Sequence, residues 1–358
     1  HPAAAYGGGI YLLVWQEGFN GAGGKNRILG LRLSAHGQPL DEAPIRICEA
    51  EGIRDTPAVA YCAGRFLVAW SDIRNGADYD VYAAFVAPDG TATPENGYLL
   101  AGGLGTQAFP ALASNGKDQF LAVWQGIAKD VFSVFAMRVS AVSAVLDRAP
   151  FVAMDRGERP QVAWTGSNYL VAQKWYGGAM VTTEGKVVMP ARQLWNSKTI
   201  GWNTTAAAWG KAFSLFCTKP FPDPWGWGGG ASIIGVSVTP DGESPERGWA
   251  KDFKDLHAAE ADGKVKNCID ATPWRNHPGW PMGMRGGLKG THDNMWQSGT
   301  PAAAFNGRSL ICVWPRAHLV DNRRLANRDL YLTRILPDWG MVDRPPVAIV
   351  AGSTEEVA

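Results

Sequence analysis

Three late stretches of this chain concentrate the residues that could do chemistry. "ATPWRNHPGWPMGMRGGLKGTHDNMWQSG" (271–299) packs three tryptophans, two histidines and two arginines into a run almost free of β-branched residues. "CTKPFPDPWGWGGG" (217–230) and "WPRAHLVDNRRLANRD" (314–329) stand on either side of it. Arginine forks match carboxylate or sulfate groups, and tryptophan faces stack on pyranose rings. Together these residue types point to an acidic glycan.

Two reactions fit that inventory. A polysaccharide lyase needs a cation to neutralise a uronate carboxylate, a base to take the neighbouring C–H proton, and an acid for the leaving oxygen. His277 or His318 would be the base, Arg275 or Arg316 the neutraliser and Tyr176 the acid. A glycoside hydrolase needs two carboxylates flanking the bond. Asp223 with Asp293 or Asp321 would supply them. Trp225, Trp227, Trp274, Trp280 and Trp296, with Arg74 and Arg323, would bind the substrate. The alternative is a non-catalytic glycan- or protein-binding surface, since aromatics and arginines are also enriched at interfaces. No metal is expected in the site. The fragment "DYD" (78–80) resembles part of a calcium loop but lacks further oxygen ligands, so calcium is the only cofactor for which even a fragment exists.

The elements that must position these residues repeat along the chain. "TPAVAYCAGRFLVAWSDIRNGADYDVYAAFVAPDGT" (from 56) is echoed by "FPALASNGKDQFLAVWQGIAKDVFSVFAMRVSA" (from 109) and "RPQVAWTGSNYLVAQKWYGGAMVTTEGKVV" (from 159). Units also begin near Pro2 and Pro301, and a weaker one near Thr205. Each reads as four strands. A Pro-Ala-x-Ala strand meets a glycine turn, and a run such as "FLVAW" follows, apolar on both faces. After a variable loop comes a strand such as "DVYAAFVA", then a turn ("PDG", "AHG", "TEG") and a looser last strand. Strands apolar on both faces need cover on both sides, which blades around an axis supply. The expected fold is an all-β, single-domain β-propeller over 1–358. It would have six four-stranded blades and a long insertion, 243–300, between blades five and six; seven blades is the alternative.

These units resemble the repeats of secreted or surface-exposed bacterial β-propellers, of the form "PAVAYNG–YLVVW–D–DVYAARVDPDG". The resemblance spans nearly all the chain outside 243–300, and implies a secreted or cell-surface setting with any leader removed. It implies no particular activity.

In a four-stranded blade, the loop after the second strand and the connection to the next blade open on one face. "WQEGFN" (15–20), "WSDIRNG" (70–76), "WQGIAKD" (124–130) and the late stretches therefore belong to that face, which is where long loops carry function. The tryptophans ending second strands (Trp15, Trp70, Trp124, Trp314) read as core. Asp80, Asp130 and Asp329, at third-strand starts, read as caps of the preceding loop. Three of the five cysteines fall in apolar runs, as in "SLFCT" (Cys217) and "SLICVW" (Cys312), and the cysteines read as buried thiols, with a Cys48–Cys62 or Cys217–Cys268 bridge as the other option. Hydrophobic residues make up 46% and charged residues 19%, with net charge +1. That composition supports a sizeable core, and no basic run speaks for nucleic acid. No apolar stretch is long enough to span a membrane as a helix.

Overall fold

The computed structural model describes residues 2–18, 26–103, 105–142, 145–173, 177–193, 202–209, 212–220, 231–238, 268–270, 302–320, 324–335, 342 and 347–350. The strands form six four-stranded antiparallel sheets, each a simple meander. Sheet 1 holds β1 (Pro2–Gly7), β2 (Ile10–Glu17), β3 (Arg27–Ser34) and β4 (Ile45–Cys48). Sheet 2 holds β5 (Arg54–Cys62), β6 (Arg65–Asp72), β7 (Asp80–Val86) and β8 (Ala92–Ala101). Sheet 3 holds β9 (Ala108–Ser114), β10 (Gln119–Ala128), β11 (Val131–Ser140) and β12 (Phe151–Met154). Sheet 4 holds β13 (Gln161–Trp164), β14 (Tyr169–Ala172), β15 (Gly177–Val181) and β16 (Val187–Gln193). Sheet 5 holds β17 (Trp202–Trp209), β18 (Ala212–Pro220), β19 (Ala231–Val238) and β20 (Cys268–Asp270). Sheet 6 holds β21 (Ala302–Phe305), β22 (Leu310–Val320), β23 (Arg324–Ile335) and β24 (Val347–Val350). The first strands touch in cyclic order, β1 to β5, β9, β13, β17 and β21, and β21 returns to β1. That is the arrangement of a β-propeller.

The residue pattern explains the ring. First strands crowd the axis, so they carry small residues; a Cβ on Gly7 would fall 1.9 Å from the Tyr61 ring of the next sheet. Second strands are buried on both sides. Along β6, Phe66, Val68 and Trp70 pack against sheet 1. Leu67 and Ala69 turn the other way, into the core shared with sheet 3. Trp15, Trp70 and Trp124 are core residues, as their repeat position implies. Trp314 lies on β22, and its side chain is outside the described residues. Arginines tie neighbouring sheets on the opposite face. Arg32 forks onto Asp41 and donates to Pro88 O at 2.7 Å, and Arg138 forks onto Asp147 and donates to Thr183 O at 3.0 Å.

Several local expectations meet a different structure. Asp80 opens β7, is buried, and accepts from Asn75 of the preceding loop at 2.9 Å, as a cap should. Asp130 does not cap a loop. β10 and β11 zip together until only Lys129 and Asp130 remain between them, both at positive φ, so Asp130 is an exposed turn residue. Asp329 lies inside β23, opposite Arg316. The run 314–329 is mostly β-ladder, not irregular loop. β20 lies within 243–300 and pairs with β19, so part of that stretch belongs to the fifth sheet. Cys48, Cys62 and Cys312 are buried free thiols, and no Cys48–Cys62 bridge forms.

Candidate functional site at the mouth of the axis

The connections between sheets enter the first strands through a repeated Xaa-Pro step: Thr56-Pro57, Phe109-Pro110 and Arg159-Pro160. The residue before each proline sits at positive φ, +49° at Thr56, +56° at Phe109 and +48° at Arg159. Left-handed backbone is costly for residues with a Cβ, on the order of 1–3 kcal/mol each, and such strain concentrates at functional sites. The polar residues after Trp70 and Trp124 hold the strained steps of the sheets that follow them. Ser71 Oγ accepts the Phe109 N–H at 3.0 Å, and Gln125 Oε1 accepts the Arg159 N–H at 3.0 Å. Thr56 N–H donates to Asp55 Oδ1 at 2.7 Å, and its hydroxyl pairs with Ser71 at 2.8 Å. The ladder shifts register here, between Asp55 and Ala58 against β6 and between Val123 and Gln125 against β9.

These steps set side chains from three sheets at the same end of the axis. Asp55 is half-buried, and burial raises its carboxyl pKa, opposed most by the Thr56 amide and least by the charge of Arg159. Asp55 at the start of β5 and Arg159 just before β13 both stand at the entry to a first strand, so both lie at the same end of the axis. The Arg159 guanidinium lies over the Phe109 ring, 4.4 Å from its centroid. Tyr79, from the loop before β7, has its pKa raised first by burial and then by the Asp55 charge. Glu158 occupies in sheet 4 the position that Asp55 holds in sheet 2, both immediately before the strained residue. Two carboxylates, an arginine and an aromatic ring thus stand at the first-strand entries of three successive sheets.

A projecting hairpin forms part of the rim. Ile127 and Phe132 are directly opposite on β10 and β11, and are 51% and 45% exposed. Strand alternation puts them on the face of Gln125 and Val134, towards sheet 4. Phe132 O accepts the Gly157 N–H at 2.9 Å, so this apolar pair stands beside Glu158 and Arg159.

A second polar cluster lies between sheets 1 and 2. Asp72, with no solvent exposure, accepts from Trp70 Nε1 at 2.8 Å, Arg74 N at 2.9 Å and Arg74 Nη2 at 2.6 Å. Arg54, equally buried, places Nε 3.5 Å from Asp72 and bonds to Asn26 through its main chain and guanidinium. Arg74, expected to bind substrate, also donates to Asn96 O at 2.9 Å and lies over the Tyr82 ring. The structure places it in this inter-sheet cluster, away from the axis. In the "DYD" loop, Asn75 Nδ2 donates to Asp78 at 3.2 Å and Asp80 at 2.9 Å, while its Oδ1 takes the Ala77 and Asp78 amides. Among the described residues no group of three or more His, Cys, Asp and Glu side chains could hold a metal ion.

Of the other residues singled out by sequence, Arg316 and His318 lie on β22, Arg316 opposite Asp329 and His318 within the register shift between Ala317 and Leu319. Tyr176, Trp225, Trp227, Trp274, Arg275, His277, Trp280, Asp293, Trp296 and Arg323 lie outside the described residues, as do Asp223 and Asp321. Sequence reasoning missed Asp55, Phe109, Glu158 and Arg159. The signal was present in the repeated Xaa-Pro starts "DTP", "AFP" and "ERP", which were read only as the beginnings of inner strands.

No protein-family model matches the chain, and no curated protein matches it in sequence. Solved structures do resemble it. A Dyadobacter fermentans protein of unknown function shares 12% identity over 93% of each chain, with a TM-score of 0.54. RS223-β-xylosidase shares 12% identity over 68% of this chain and 93% of its own, at a TM-score of 0.44. The catalytic domain of the Coprinopsis cinerea GH62 α-L-arabinofuranosidase shares 10% over 98% and 91%, also at 0.44. The likeness is one of fold. Among the described residues no helix is long and apolar enough to cross a membrane.

Proposed function

We propose that the protein is a glycoside hydrolase that cleaves a polysaccharide at the mouth of the axis. The observation that carries this reading is that Asp55, Phe109 and Arg159 stand at the entries to the first strands of three sheets, with the Arg159 cation on the Phe109 ring. Burial holds Asp55 protonated to higher pH than an ordinary carboxyl, which suits a general acid. In this reading Asp55 gives its proton to the glycosidic oxygen as the bond to the anomeric carbon breaks. Water adds to that carbon and yields its proton to Glu158. Phe109 supplies an apolar face to the sugar, and Tyr79 lies within electrostatic reach of Asp55. Six blades, supported by the cyclic first-strand contacts, and an extracytoplasmic setting, supported by the repeat resemblance, belong to the same proposal. A second reading, a non-catalytic glycan- or protein-binding propeller, is favoured by the exposed Ile127–Phe132 pair on the rim.

The test is a panel of soluble acidic and neutral polysaccharides, followed by new reducing ends and by the ultraviolet absorbance of unsaturated uronates. Reducing ends without absorbance are expected, and Asp55→Asn should lower kcat by about 10²–10⁴. Absorbance with reducing ends would make the protein a lyase. Full activity in Asp55→Asn, or no product on any glycan, would overturn the hydrolase reading.

A further inference from the structure

We propose that Arg159 makes this a site for acidic sugars, its guanidinium seating a uronate carboxylate beside the bond that Asp55 addresses; this rests on the glycosidase reading above. Three observations carry it. The charge has no carboxylate partner: Arg32, Arg138 and Arg74 each hold a carboxylate within 2.6 Å, whereas among the described residues no carboxylate lies within ion-pair distance of Arg159, whose cation rests on an aromatic ring. The side chain is also placed in advance. Its backbone is pinned between Gln125 and Pro160, and its cation rests on the Phe109 ring, so little freedom is left to lose on binding.

The third observation is the repeat itself. The strained step before proline does not require arginine, because Thr56 and Phe109 fill the same position in the two preceding sheets with the same backbone sign. In sheet 4 the step carries a cation instead, stacked on the Phe109 ring. It puts a planar fork on the sheet-4 side of the opening that Asp55 borders from sheet 2. A planar carboxylate meets that fork with two parallel hydrogen bonds, which a neutral sugar ring lacks.

The test measures binding by calorimetry in the Asp55→Asn background, where turnover is suppressed. The probes are a trigalacturonate and its fully methyl-esterified counterpart. The free acid should bind about tenfold more tightly than the ester, and Arg159→Gln should bring the two within about twofold without weakening the ester. Arg159→Lys should keep only part of the preference, since a point charge cannot form the fork. The side chain is exposed, so near-ultraviolet circular dichroism of both variants should match the parent. Equal binding of acid and ester, or a preference that survives Arg159→Gln, would overturn the inference. If a neutral glycan is cleaved while no acid preference appears, the inference alone falls. If no glycan is bound or cleaved, both readings fall together.

Discussion

Replacing Asp72 tests whether the polar cluster between sheets 1 and 2 is structural. Asp72 and Arg54 are both fully buried, 3.5 Å apart at Nε, and Asp72 also takes Trp70 Nε1 and two donors of Arg74. Asp72→Asn removes the charge and turns an amide N–H₂ towards a guanidinium that has no water to fall back on. Breaking a buried pair by removing one partner costs about 3–5 kcal/mol. The Arg54 contact is long and Arg74 keeps some solvent, so about 4 kcal/mol is expected here. With 358 residues the unfolding entropy is about 0.75 kcal/mol per kelvin, and Tm should fall by about 5 °C. Denaturant unfolding gives the free energy, and calorimetry gives Tm. The double variant Arg54→Leu/Asp72→Leu should recover most of the loss, because it removes both buried charges and fills their volume. Below its melting range Asp72→Asn should keep the parent kcat/KM, since Asp72 faces sheet 1 and not the axis. A change within about 0.5 kcal/mol in Asp72→Asn, or a double variant no better than the single, would refute the reasoning.

Other substitutions probe the remaining strained or buried groups. Asp55 has its pKa raised above the ordinary 3.8 by burial, so the native state holds this proton where the unfolded chain has lost it. Stability should therefore fall as pH rises from 3.8 through the raised pKa, and Asp55→Asn should be more stable than the parent above that window, as read by thermal melts across pH. Gly97→Ala puts a Cβ 2.4 Å from Trp70 Cη2 at a φ of +74°, and should cost about 3 kcal/mol in denaturant unfolding. In a Cys217→Ser/Cys268→Ser background, a thiol reagent should find Cys48, Cys62 and Cys312 only after unfolding, because all three are buried and burial raises each pKa.

Much of the architecture was legible because it is local. The Pro-Ala-x-Ala strands, the doubly apolar second strands and the glycine turns each report on a few neighbouring residues, and repetition multiplied that weak signal. Trp70 and Trp124 could be assigned to the core for the same reason. Asp130 could not be read as a turn residue, because how far β10 and β11 zip depends on pairing energy across the hairpin. Arg74 looked like a surface cation by composition; only the packing of sheet 1 on sheet 2 turned it towards Asp72 and Tyr82.

By itself, then, the sequence determined an all-β chain of repeated four-stranded units and the face on which their loops gather. Which residues meet on that face was decided by the tertiary structure. Asp55 and Arg159 lie a hundred residues apart, in units that are not neighbours in the ring, and each looks like an ordinary charge at a strand start. Closure around an axis brings both to the same end of it, each beside a left-handed step before a proline, and Gln125 of the preceding sheet holds the step at Arg159. Neither long-range closure nor a left-handed conformation at phenylalanine and arginine has a local residue code, because both depend on contacts with another sheet.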